Sequence, residues 1–188
     1  MLELELELPQ ARTETFTIGT GAPDFGNLLG VDGERYSLSS FQDKKLLVLL
    51  FISNGCPTVK ACQDRMIRIQ KDYAPENVKL LALNSNNSYL SPADTYAEMV
   101  LRVKEKGFNF PYVKDEDRTV ARAYGAVCTP HVFLLDEGRM LRYKGRIDDS
   151  RNPERVTVSD LRNAIDDLLA NRPVRVSETT PFGCNIVW

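Results

Sequence analysis

The chain has 188 residues, with 24 Lys and Arg against 26 Asp and Glu, a net charge of −2. A 43% hydrophobic share with 27% charged residues excludes disorder and predicts a single globular domain over 1–188. Without a basic excess or a Lys/Arg cluster, nucleic acid is excluded as a partner class.

The first residues, MLELELELP, have no basic start and no continuous apolar core, so they do not read as a signal peptide. Their Leu/Glu alternation predicts a half-exposed strand from Leu2 to Leu8. A second strand is expected over Thr13–Ile18, so that 1–21 forms a β-hairpin extension ending at Gly19-Thr20-Gly21. Val31-Asp32-Gly33-Glu34 reads as a tight turn between short strands, and Ser39-Ser40-Phe41 as a brief helical turn.

The longest apolar run, Leu46 to Ile52, predicts a buried strand and is far too short to cross a bilayer, so no membrane partner is expected. It breaks at Ser53-Asn54-Gly55 and gives way at Cys56-Pro57 to a helix reaching Ala74-Pro75. Cys56 thus stands where a strand hands over to a helix N-terminus. Unpaired N–H groups and aligned peptide dipoles there stabilise a thiolate. Cys56 is the expected redox nucleophile.

Val78–Leu83 is a second buried strand, followed by the polar loop Asn84 to Ser88. Ser91-Pro92 is expected to cap a helix ending at Gly107, Phe110–Val113 to form a short strand, and Asp117–Tyr124 a short helix closed by Gly125. Val132–Leu135 and Met140–Lys144 read as an antiparallel pair joined by Asp136 to Arg139, and Asp160–Leu169 as a last amphipathic helix. The tail, 172–188, lacks periodicity, but its apolar end, Ile186-Val187-Trp188, predicts docking on the body. Strand–helix–strand units imply parallel pairing and the hairpin adds antiparallel strands: an α/β fold with a central mixed sheet.

Four cysteines, at 56, 62, 128 and 184, fit no zinc spacing, and His131 is the only histidine. Neither a metal nor a cofactor is expected. In a cytoplasmic setting, the expected location, such thiols are redox-active or buried rather than structural disulfides.

This order, with a Cys after a buried strand and Thr129-Pro130 ahead of Phe-Leu-Leu-Asp, resembles the thioredoxin fold. Ala22-Pro23-Asp24-Phe25 and the Asp32-Gly33 turn are similar to the opening of the redoxins, the alkyl-hydroperoxide-reductase and thiol-specific-antioxidant superfamily. Within it, five segments resemble a group of small bacterial thioredoxin-like proteins: Cys56 to Lys60, Ala82 to Asn86, Tyr124 to Pro130, Gly145 to Asp149, and Gly183 to Trp188, the last a Gly-Cys-x-Ile-x-Trp motif. The resemblance implies a cis peptide at Thr129-Pro130, facing the nucleophile and exposing the preceding backbone to a thiol substrate strand.

The departures from these families bear on mechanism. The thioredoxin Cys-x-x-Cys would need a second Cys where Val59 stands, and the related group's upstream Cys is replaced by Ser53. The buried acid of thioredoxins is replaced by Leu50. Peroxiredoxins use Pro-x-x-x-Thr-x-x-Cys with a distant Arg. Ser53 offers the hydroxyl of that pattern, but Leu49 replaces its Pro and Pro130 takes the place of its Arg.

A disulfide cycle needs a second thiol. Cys62, six residues beyond Cys56, is about 600° and about 9 Å further along a helix, so pairing within the required ~7 Å needs the first turn to unwind. Cys62 is alternatively a small buried apolar residue. By the resemblance, Cys128 lies beside the nucleophile and is either a redox partner or a packing residue. Cys184 is expected chiefly to dock the tail, with tethering or resolution as alternatives. Lys60, one turn along the helix, would add positive potential or be solvated. His131 would serve as a base or as a plain strand residue, Asn84–Asn87 would bind a ligand or cap the loop, and Asp148-Asp149 resembles a carboxylate pair but reads by default as a solvated turn.

The expected function is thiol–disulfide exchange through a mixed disulfide on Cys56, resolved by Cys62, Cys128 or an external thiol reductant. Ser53, Lys60, Thr129 and Pro130 would contact protein or small-molecule thiols and disulfides. The alternatives are a thiol peroxidase acting on peroxide through Ser53 and Cys56, and a redox-inert binding module on the same fold. The oligomeric state is not read from the residues.

Overall fold

The computed structural model describes residues 16–188. The expected strand at Leu2–Leu8, the start of the expected strand at Thr13, and with them most of the hairpin extension lie outside this range. Phe16 and Thr17 are not in a strand, 18–20 form a turn, and Gly21 makes only an isolated antiparallel bridge to Met140.

Among the described residues seven strands form the central sheet: β1 (Leu28–Gly30), β2 (Arg35–Tyr36), β3 (Leu46–Phe51), β4 (Val78–Asn84), β5 (Tyr112–Lys114), β7 (His131–Leu135) and β8 (Leu141–Gly145). Their order is β2-β1-β5-β4-β3-β7-β8. β3, β4 and β5 run parallel, while β7 is antiparallel to both β3 and β8. β3 is therefore central, and all six of its residues, LLVLLF, are buried. A strand covered on both faces needs such a continuous apolar run.

Side chains of β3 alternate between two cores. Leu46, Val48 and Leu50 pack with Val59, Met66 and Ile69 of α1 (Pro57–Tyr73) and Leu161 and Ile165 of α4 (Asp160–Leu169). Leu47, Leu49 and Phe51 pack with Phe25, Phe133 and Val120 and Tyr124 of α3 (Thr119–Tyr124). The central mixed sheet flanked by helices is the thioredoxin-like arrangement expected from the residues.

Some local readings change. Ser91-Pro92 opens a 3-10 turn, Pro92–Asp94, and α2 (Tyr96–Lys106) starts only after Thr95, whose hydroxyl accepts from the Glu98 N–H. The helix still ends where expected, at Gly107, whose φ of 65° favours a residue without a Cβ. The tail gains an unexpected strand: β9 (Cys184–Asn185) pairs antiparallel with β6 (Cys128–Thr129) as a separate two-stranded ladder.

Candidate active site at the β3–α1 junction

β3 delivers the chain to Ser53-Asn54-Gly55, and Cys56 becomes the N-cap residue of α1 with Pro57 at the first helical position. Proline fits there because its missing N–H would be unpaired in any case. Cys56 is 2% exposed and its Sγ lies 3.1 Å from the carbonyl oxygen of Thr129, to which the thiol donates. The Thr129–Pro130 peptide is cis. Ser53 and Thr129 share a hydroxyl–hydroxyl hydrogen bond of 3.0 Å.

Burial alone would raise the Cys56 pKa, yet the net shift is downward. The opposing contributions come from the Cys184 side chain, the Val59 N–H, the Thr129 hydroxyl and the Cys184 N–H. Val59 is the third helical residue, where N–H groups lack intrahelical acceptors; it makes no capping bond to the thiol, so its pull falls on the anion. Four donors therefore favour a thiolate at this corner.

The tail brings Cys184 to this corner. In the β6–β9 ladder Cys184 stands opposite Thr129 and Asn185 opposite Cys128. Gly183, at φ 153°, presses its Cα against the Thr129 carbonyl and the Pro130 ring, where a Cβ would collide. On one side of this crossing Thr179 is clasped by β8: its N–H donates to Lys144 O (3.0 Å), and its hydroxyl bonds Tyr143 (2.7 Å) and the Arg146 N–H (3.0 Å). On the other side the Ile186 N–H donates to Val127 O (3.3 Å), and Val187 bonds the Asn86 side chain (2.9 Å) and the Asn87 N–H (2.8 Å). Burial and the neighbouring Cys56 push the Cys184 thiol up to about 11.

The other expected partners sit differently. Cys62 is buried in the α1 core and its sulfur accepts from Arg65 Nη2 at 2.9 Å. Burial raises its pKa in spite of that guanidinium. Cys128 is buried, with its sulfur directed to the Pro130 carbonyl (3.8 Å), and burial with Cys56 nearby raises it to about 11. Lys60 is exposed, its positive charge is felt by Glu105 of α2, and it is not among the groups that lower Cys56. His131 packs with Phe133 at 4.5 Å on the α3 face of the sheet, whereas Cys56 belongs to the α1 core. The general-base reading of His131 is therefore not supported by position.

Two further expectations change. Asp148 is no solvated turn residue: it is 4% exposed and paired with Arg65 at 2.9 Å. The Asn84–Asn87 loop is part of a buried scaffold centred on Asp94, which the residue pattern gave no reason to single out. Asp94 accepts from Asn54 N (2.7 Å), Asn84 Nδ2 (2.8 Å), Asn86 Nδ2 (2.9 Å) and Ser91 Oγ (2.6 Å). The same carboxylate thus fixes the loop before Cys56 and, through Asn86, the end of the tail.

The comparisons with known proteins agree with the fold. The family model described as Redoxin matches residues 17–165. Thiol-disulfide oxidoreductase ResA of Bacillus subtilis is 29% identical over 133 residues, 70% of this chain and 69% of its own. The crystal structure of a hypothetical protein from Sinorhizobium meliloti superposes with a TM-score of 0.87 at 39% identity, covering 93% of this chain and 96% of that one. The thioredoxin domain of a thiol-disulfide oxidoreductase from Bacteroides vulgatus shares the fold, with a TM-score of 0.65 at 16% identity over 82% of this chain and 99% of that one.

Proposed function

We propose that this chain, which belongs to the Redoxin family, is a thiol–disulfide oxidoreductase whose nucleophile is Cys56. The carrying observation is geometric: Cys56 is the N-cap residue of α1 and its sulfur lies 3.1 Å from the Thr129 carbonyl at the cis Thr129–Pro130 peptide, with the surrounding donors lowering its pKa. A thiolate is the attacking form in disulfide exchange. Its relatives include proteins named thiol-disulfide oxidoreductase, which fits the same chemistry.

In the reaction, the Cys56 thiolate attacks one sulfur of a substrate disulfide. A new S–S bond joins Cys56 to that sulfur, and the other leaves as a thiolate that takes up a proton. A second thiol then attacks the mixed disulfide and releases the bound half. Protein or small-molecule disulfides are the proposed substrates, with an external thiol reductant closing the cycle. Four free thiols suit a reducing compartment such as the cytoplasm.

The peroxidase alternative draws less support, because the Ser53 hydroxyl is engaged with Thr129. Reduction of a small aromatic disulfide, followed by absorbance, tests the proposal. The wild type should turn over with an external thiol and Cys56→Ser should not. Equal rates in the two proteins would leave the redox-inert module as the correct reading. Oxidation of Cys56 by peroxide at the rate of an ordinary thiol would exclude the peroxidase.

A further inference from the structure

The tail lies where an extended substrate would pair. β9 runs antiparallel along β6, putting Cys184 opposite Thr129, whose carbonyl holds the Cys56 thiol. Gly183 has no side chain at the point of closest backbone approach, which lets the strand settle on Thr129 and Pro130. The segment is pinned at Thr179 and at Ile186-Val187, so the stretch carrying Cys184 bridges two anchors. Yet within 177–188 Ile186 is the only buried residue. Between those anchors the strand has no fully buried side chain, and segments with few buried apolar contacts open locally at low cost.

We propose that residues 180–188 are a tethered internal substrate strand and that Cys184 is the resolving thiol for Cys56. This rests on the reading of Cys56 as nucleophile and specifies its partner. The docked strand keeps Cys56 covered, so it must lift before an external disulfide can pair with β6. Once Cys56 carries half of that disulfide, the strand returns and Cys184, losing its proton to the departing thiolate or to water, attacks the Cys56 sulfur. The bound half leaves as a thiolate. The substrate disulfide has gained two electrons, and Cys56 and Cys184 have lost two in forming their own disulfide. An external dithiol restores both thiols by the same exchange.

The sequence separation of the two cysteines suits this role. Cys62 lies on the same helix as Cys56 and is held by Arg65, so its pairing needs the first turn to unwind. Cys184 lies on a separate strand and reaches Cys56 without disturbing α1.

Stoichiometric 2-hydroxyethyl disulfide, an acid quench and peptide mapping test the proposal on the full chain. The wild type should release two mercaptoethanol molecules per chain and carry a Cys56–Cys184 link. Cys184→Ser should release one and stop at a mixed disulfide on Cys56. A wild-type link to Cys62 or Cys128, or a mixed disulfide that persists in the wild type, would overturn the role of Cys184 and leave Cys56 as nucleophile. No adduct on Cys56 in Cys184→Ser would sink both readings. Gly183→Ala keeps every thiol but obstructs the seated strand; it should slow formation of the internal link and, at a pH above the Cys56 midpoint of both proteins, where loss of the Cys184 donors no longer limits ionisation, speed Cys56 alkylation severalfold. Unchanged values for both would overturn the gating strand.

Discussion

Cys184 and Thr129 face each other across the β6–β9 ladder, and both contribute to the hydrogen bonding that lowers the Cys56 pKa. The first prediction follows from this pairing. Alkylation of Cys56 as a function of pH should show a midpoint below the ordinary thiol range of about 8.5. Cys184→Ala removes one of these stabilising side chains, so the midpoint should rise. The rate at pH 7 should then fall about fivefold to tenfold, the equivalent of one hydrogen bond. An unchanged midpoint would show that Cys184 does not act on the thiolate.

The hydroxyls of Ser53 and Thr129 form the second line of support, 3.0 Å apart and both buried. Thr129→Val keeps the volume and removes the hydroxyl, so Cys56 should become less acidic and about fivefold slower to alkylate at pH 7. Ser53→Ala acts only through Thr129 and should have the smaller effect, with a stability loss of about 1 kcal/mol by urea unfolding. The reverse ranking would place Ser53, not Thr129, against the sulfur.

Much of this architecture was legible in the residues, for identifiable reasons. β3 is apolar throughout because both its faces are covered, and α4 shows a clear amphipathic repeat whose predicted bounds, 160 and 169, are those observed. The Cys56 corner was legible because Pro57 marks a first helical turn. The β9 pairing that places Cys184 opposite Thr129 was not, because a two-residue strand carries no periodicity and its partner β6 is just as short. Asp94 reads as a first-turn helix acid and Asp148 as a turn acid, and only tertiary packing buries them beside Asn54 and Arg65. Lys60 stayed open between two readings, added potential or a solvated residue, because a helix position one turn from a thiol does not fix where a long side chain points; it is exposed.

Asp94 anchors both the active-site loop and the tail, so its loss should be felt in both. Asp94→Ala leaves the Asn54 N–H, the Asn84 and Asn86 amides and the Ser91 hydroxyl without their acceptor in a buried site. Unfolding in urea should show a loss of about 3–5 kcal/mol. Asn86→Ala is the milder variant, because it removes the side-chain acceptor of the Val187 N–H. Trp188 is the only tryptophan in the chain and stacks under Arg122 at 5.2 Å, so its fluorescence reports tail docking. Asn86→Ala should shift that emission to the red while the far-UV spectrum stays unchanged. An unshifted emission would mean that the backbone pairing alone holds the tail.

His131 provides a pH dependence whose sign can be worked out. It is 6% exposed, and burial, with Lys144 adding repulsion, lowers its pKa from 6.5 to about 4. Above pH 6.5 the imidazole is neutral in folded and unfolded chains, and the contribution to stability is fully present. Between 6.5 and 4 the unfolded chain binds a proton that the folded chain does not, so stability falls as pH falls. Below about 4 both forms are protonated and the loss levels off, at up to about 3 kcal/mol. Carboxylates titrate in the same range, so the informative quantity is the difference between the wild type and His131→Phe, in which the ring can pack on Phe133 without a titrating group. Urea unfolding at pH 7 and pH 4.5 should show the wild type losing about 2–3 kcal/mol more than the variant. Parallel losses in the two proteins would mean that His131 charges freely in the folded state, and therefore that the α3 face of the sheet admits water at that position.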